Sequence, residues 1–345
     1  MPLVAYKNLP SFTKLQEEGR LILEPQRARK QNIRELHIGL LNMMPDKALQ
    51  ATERQFFRLI GESNQIAQFY IHPFTFPELN RGADARAYIA KHYDNFEDIK
   101  AIGLDALIVT GANVTGSHLE DQPFWEPLQE VLNWAWNNVA STICSCLATH
   151  AYMQLKHDIK RKPMSKKLVG VYKNRVIDRL HPIVRGMNTV FDVPHSRFNY
   201  ISEEQFTRAG MRILVQGDES GVHIATSADG FRVICFQGHP EYDTVSLMKE
   251  FVRDLQLFHA GELKAPPAYP EHYFGDNVCN ILSHNPASDK IESLIAHHLD
   301  NTWCDSGKSV IANWIGQVYQ VTHVERRKQF MDGVDPHNPL NLKTS

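Results

Sequence analysis

Four short and mostly apolar runs, at residues 36–41, 66–71, 104–111 and 141–146, alternate with segments whose apolar side chains recur at helical spacing. Runs of this kind suit strands buried on both faces, and a helix between consecutive strands is what returns the chain to the same edge of a parallel sheet. The helical segments are 47–60, with Ala48, Ala51, Phe56, Leu59 and Ile60, and 127–138, with Leu128, Val131, Leu132 and Ala135. A third, 245–258, carries Leu247, Phe251, Leu255 and Phe258 on one side, and 148–155 follows the fourth apolar run directly. Ile89, Tyr93, Phe96 and Ile99 permit a short helix that Asp94 and Asn95 interrupt. Later strands are predicted at 189–193, 211–215, 222–226 and 231–236, the last two forming a hairpin about Ser227-Ala228-Asp229-Gly230. This order predicts an α/β sheet with helices on both faces.

A chain of 345 residues can bury a substantial core. Residues 1–34, which mix Pro10, Gly19 and Pro25 with charges, read as an arm with one short helix. Pro266, Pro267 and Pro270 break regular structure, so the core is expected to span 35–265. Residues 266–345 then form an extension with helices at 291–299 and 309–321 that pack back on the core, ending in polar turns. No run approaches the roughly 18 apolar residues of a membrane span, and the start has no cleavable signal pattern, so a cytoplasmic protein off the membrane is expected. Five cysteines make an odd count without disulfide spacing, and Cys144-Ser145-Cys146 is not a metal-binding pair, so free thiols and no metal are expected.

The formal charge of −2 argues against a nucleic-acid partner. Of two short basic patches, 27–30 and 161–167, the second can meet an acidic small substrate or a phosphorylated cofactor. Asp305-Ser306-Gly307-Lys308-Ser309 lacks the upstream glycine of a phosphate loop, and neither a dinucleotide fingerprint nor HExxH is present.

The chemistry concentrates at two places. Cys146 ends an apolar run and precedes a helix, a corner where backbone amides can receive the oxyanion of acyl transfer. Leu147 would supply one amide, and Gly111, after a separate strand, another. Cys144 is the competitor, since the two-residue strand period puts it on the same face, and two ordinary core cysteines are the plain alternative. Ninety-odd residues later, Gly238-His239-Pro240-Glu241 offers an imidazole for proton transfer and a carboxylate to orient it. Asn42-Met43-Met44-Pro45 and Thr110-Gly111-Ala112-Asn113 both follow strands and can line a crevice at the sheet's carboxyl edge. His195 reads as a structural or binding histidine rather than a second base, and Trp134 and Trp136 as packing anchors. Arg253 is either a surface residue or a partner for a carboxylate.

Taken in order, residues 38–45, Thr52-Glu53-Arg54-Gln55-Phe56, Thr110-Gly111-Ala112, Cys146, residues 167–172, Pro194-His195-Ser196-Arg197, residues 238–243, Asn313-Trp314 and residues 318–320 resemble the homoserine O-acyltransferase family of methionine biosynthesis, of the glutamine-amidotransferase-like type. The resemblance spans roughly residues 30 to 325. It implies a three-layer flavodoxin-like sheet of the class I glutamine-amidotransferase kind with terminal extensions, and a homodimer. It also implies ping-pong acyl transfer from an acyl-CoA co-substrate to L-homoserine, with no bound cofactor. Cys146 would be the nucleophile, His239 the base and Glu241 its partner; Arg253 would bind the acceptor carboxylate, Ser196 would position the acceptor, and Lys167 would lie at the acyl or acceptor site.

Two departures stand out. Where relatives have tryptophan, a small residue and glutamine after the nucleophile, this chain has Leu147-Ala148-Thr149-His150, which makes the wall aliphatic and adds a donor at His150. Thr115 occupies the place where relatives select succinyl with glycine or acetyl with glutamate; a small neutral side chain leans to succinyl. The changed wall leaves serine or a specialised amino alcohol as alternative acceptors, and a non-catalytic binding protein on the same scaffold as the alternative class. Leu147, in place of the amidotransferase glycine, disfavours glutamine hydrolysis.

Overall fold

A computed structural model describes residues 3–114, 116, 118–284 and 291–342. Its strands are β1 (Leu3–Val4), β2 (Ile22–Leu23), β3 (Glu35–Leu41), β4 (Gln68–Phe74), β5 (Ala106–Val109), β6 (Ser141–Ser145), β7 (Lys162–Val176), β8 (Val190–Tyr200), β9 (Arg212–Gly217), β10 (Gly221–Thr226) and β11 (Val233–Phe236). They form one sheet in the order β2-β1-β4-β3-β5-β6-β11-β10-β9-β7-β8. From β2 to β11 neighbours are parallel, and from β11 to β8 they are antiparallel.

Side-chain alternation along the central strands feeds two cores. On one face Leu36, Ile38, Leu40, Ile108, Ile143 and Ile234 meet the helix Asp46–Ser63 and the C-terminal helix Cys304–Val321. On the other, Leu41, Leu107, Val109, Cys144 and Cys235 meet the helices Phe96–Ile102, Trp125–Asn138 and Leu147–His157. The result is the expected three-layer α/β arrangement. A third cluster joins Leu247, Phe251 and Val252 of the helix Ser246–His259 to Val278, Leu282, Ile295 and Trp303 of the C-terminal segment. Among the described residues no helix is long and apolar enough to cross a membrane.

Several boundaries differ from the pattern reading. The interrupted segment around Asp94 and Asn95 is two helices, Ala83–His92 and Phe96–Ile102, because Asn95 caps the second by accepting the Asp98 amide at 2.8 Å. Strand β7 has no apolar signal in its first half, where Lys162, Lys166 and Lys167 are polar, and it is held by pairing to β8. The strand predicted at 189–193 continues through Pro194 to Tyr200; β8 is an edge strand, where proline costs no ladder bond. The helix Asp276–His284 had no predicted counterpart, and the first 34 residues hold two helices, Pro10–Glu17 and Pro25–Ala28, besides β1 and β2. Gly307 and Lys308 lie inside the first turns of Cys304–Val321, so the GKS run is helix. A side chain on Gly307 would come within 2.8 Å of the Pro240 carbonyl, so glycine lets this helix press on the turn that carries His239.

Candidate active site

The carboxyl ends of β3, β5, β6 and β11 open together, and the chain leaves β3 toward β4 on one side and β5 on the other, a switch point of the kind that binds ligands. At the end of β6 the backbone turns sharply: Cys146 has φ 51° and ψ −109° before the helix Leu147–His157 begins. A positive φ in a residue with a Cβ costs roughly 1–3 kcal/mol and persists only where the surroundings enforce it. Here they do. The Cys146 amide donates to the Phe236 carbonyl at 2.7 Å, and the Thr149 hydroxyl lies 2.7 Å from the Cys144 carbonyl and 3.0 Å from that of Phe236. Thr149, one of the residues that departs from the family wall, thus braces the elbow.

Leu147 opens the helix, where an amide has no intrahelical acceptor. A side-chain carbon on Gly111 would stand 3.6 Å from Cys146 Cβ and 3.9 Å from the Leu147 nitrogen, so the β5 loop and the elbow meet as the sequence suggested. Cys144 does not share this opening. It pairs with Val109 and Cys235 inside the sheet, is fully buried, and burial pushes its thiol well above the ordinary range.

The turn after β11 carries His239, whose amide donates to Pro194 of β8 at 2.8 Å. Its Nδ1 lies 2.8 Å from Glu241 Oε1, and its ring stacks on Tyr242 with centroids 4.3 Å apart. Burial disfavours the charged imidazole, but Glu241 and the neighbouring Cys146 outweigh it and raise its proton affinity well above that of free histidine. Both His239 and Glu241 are 7 % exposed, and Glu241 Oε2 has no partner.

Beside this pair is a cluster centred on Glu250, a residue with no signal in the sequence. Its carboxylate accepts from Tyr242 at 2.7 Å and from Ser196, and Lys167 Nζ stands at 3.3 Å. Burial would raise the Glu250 carboxyl, but Lys167, Ser196 and Tyr242 hold it below the usual range. Lys167 also reaches Asp254 at 3.6 Å. Lys167 and Ser196 are therefore brought together, whereas Arg253 stands apart: its side chain is half exposed and bonds its own neighbour Asp254 at 2.8 Å. Thr115 lies outside the described residues. His195 is fully buried and accepts from Arg197 Nε at 3.3 Å, but its Nε2 is unpartnered, so it is only half satisfied. Trp134 packs edge-on against Phe96, while Trp136, partly exposed, holds the Arg232 guanidinium 4.1 Å from its ring centroid.

The family model for homoserine O-succinyltransferase matches residues 2–324. The chain belongs to the homoserine O-succinyltransferase family. A homoserine O-succinyltransferase of Allochromatium vinosum is 55% identical over 354 aligned positions that cover 99% of each chain. One from Thiobacillus denitrificans is 55% identical over 349, covering 99% of this chain and 100% of its own. Among solved structures, a glutamine amidotransferase from Methylobacillus flagellatus aligns with a TM-score of 0.48 at 13% identity, over 83% of this chain and 95% of that one.

Proposed function

We propose that this member of the family transfers the succinyl group of succinyl-CoA to the hydroxyl of L-homoserine through a thioester on Cys146. The observation that carries the reading is the strained elbow that presents Cys146 beside His239, whose Nδ1 is held by Glu241. The donor named for the full-length relatives is succinyl, which supports succinyl-CoA over the acetyl alternative.

The chemistry starts from a Cys146 thiolate beside the His239 imidazolium. Sulfur attacks the thioester carbonyl, and the amides of Leu147 and Gly111 are the donors for the resulting oxyanion. Collapse breaks the bond to the CoA sulfur, which leaves with the His239 proton. The neutral imidazole then takes the proton from the homoserine hydroxyl as that oxygen attacks the acyl-enzyme. The Cys146–acyl bond breaks, and the thiolate and imidazolium are restored. Glu241 keeps the ring in one tautomer and stabilises its charged form. The Glu250, Lys167 and Ser196 cluster, joined to His239 through Tyr242, offers both charges for an amino-acid acceptor.

Intact mass after mixing with succinyl-CoA, without acceptor, tests the reading. The wild type is expected to gain one succinyl group and lose it on addition of L-homoserine. A Cys146→Ala protein that still transfers succinyl would refute the nucleophile.

A further inference from the structure

Two arginines and a neutral histidine gather near the Cys146 corner, and among the described residues none of the three bonds a carboxylate. Arg197 is 5 % exposed, yet its guanidinium bonds neutral groups: His195 Nδ1 at 3.3 Å, the Asn199 carbonyl at 3.1 Å, the Ser220 carbonyl and Met164 Sδ at 4.0 Å. Arg161, just before β7, donates to the Gly116 carbonyl at 3.1 Å, and its Nε is buried without a partner. Gly111, a few residues before Gly116 in the chain, packs beside Cys146. Both arginines lie near enough to Cys146 to feel its charge when it is ionised. His150, one helical turn after Cys146, is 2 % exposed; neither ring nitrogen makes a well-formed hydrogen bond, and its polar neighbour is the Gln237 side chain, whose amide nitrogen donates to Ile201 and Val222. Burial, with Arg197 and Arg161 behind it, lowers the affinity of His150 for a proton to a pKa of about 3.

Buried guanidinium without a counter-ion is costly, and proteins retain it where a ligand completes the pair. A neutral imidazole beside it keeps one N–H to give. In a thioester on Cys146, a succinyl group carries its second carboxylate two methylenes beyond the carbonyl. We propose that Arg161 and His150 form the receptor for the distal carboxylate of the acyl group, with Arg197 as a fixed positive field behind them, so that the site selects donors bearing a second carboxylate. The assignment rests on the acyl-enzyme reading above and adds the residues that read the donor.

The test compares acylation of Cys146, followed by intact mass, with succinyl-CoA, its neutral amide isostere succinamoyl-CoA, and acetyl-CoA. Wild type should acylate with succinyl-CoA about tenfold faster than with the amide isostere, the scale of one charge-assisted pair whose arginine is only part-buried. Arg161→Met should erase that ratio while leaving acetyl-CoA within about threefold, and Arg161→Lys should restore part of it. His150→Gln, which keeps a donor, should lose less than His150→Leu. Equal rates for succinyl and succinamoyl donors in the wild type would overturn the assignment without any variant. So would an Arg161→Met protein that slows all three donors alike. An enzyme that acylates but ignores donor charge sinks this inference alone, whereas a wild type that accepts no thioester overturns the acyl-enzyme reading with it.

Discussion

Replacing Glu241 by glutamine tests the site most directly, because it removes a charge and little else. The Nδ1–Oε1 separation is 2.8 Å and both side chains are 7 % exposed, so solvent screens the pair weakly. At an effective dielectric near 20, Coulomb attraction at that distance is roughly 6 kcal/mol. The glutamine oxygen still accepts from Nδ1, and relaxation of the pocket returns part of the rest, leaving a loss of about 3 kcal/mol, or roughly a hundredfold in rate. The sign is set by the raised proton affinity of His239: the imidazolium survives to higher pH than a free histidine, and losing Glu241 releases that proton earlier. Single-turnover acylation by succinyl-CoA, measured across pH, should therefore fall about a hundredfold in Glu241→Gln, with its alkaline limb moved to lower pH. Because Glu241 raises the proton affinity of His239 in the folded protein, the pair also contributes stability at neutral pH, and the variant should unfold at a lower Tm. An acylation rate within about threefold of wild type and an unmoved alkaline limb would refute the role of the pair.

Cys144→Ala should cost about 1 kcal/mol in urea denaturation, as a buried core truncation does, while peptide mapping still finds the succinyl group on Cys146. Glu250→Gln should raise the homoserine KM about tenfold and leave acylation within about twofold; because its carboxyl is held low, the wild-type contribution is complete at neutral pH and disappears as pH falls through its folded-state value. Trp314→Ala should cost about 3–5 kcal/mol by chemical denaturation, since the ring is fully buried and its Nε1 donates to Ser141 Oγ at 2.8 Å beneath the nucleophile strand.

The central strands and their helices were legible because each is specified locally: six apolar residues, a turn, then a stripe at helical spacing. The hairpin β10–β11 followed from its turn residues alone. Strand β7 was not legible, since its pairing with β8, not its own pattern, makes it extended. Cys146, His239 and Glu241 could be singled out as candidates because they follow strand ends, where the chain leaves the sheet. The two-residue period put Cys144 and Cys146 on one strand face, and only position at the strand's end favoured Cys146; the φ of 51° at Cys146 is where the strand ends. Glu250 gave no signal: an acidic residue on an amphipathic helix looks like solvent-facing charge. Arg161 sat in a patch already noted as able to meet an acidic small substrate, but nothing in the patch marked Arg161 out from Lys166 or Lys167.

By itself, then, the sequence determined the alternation of strands and helices, the thiol at a corner, and the histidine and carboxylate two residues apart, all of which are set by neighbours in the chain. Only the tertiary structure decided which charges meet. Sheet order brings β6 beside β11 and so sets Cys146 against His239. It also gathers Ser196, Lys167 and Glu250 from three elements, turns Arg253 outward, and leaves Arg161 and Arg197 without a carboxylate partner. Those are long-range consequences of packing a twisted sheet between two helix layers, and spacing along the chain does not encode them.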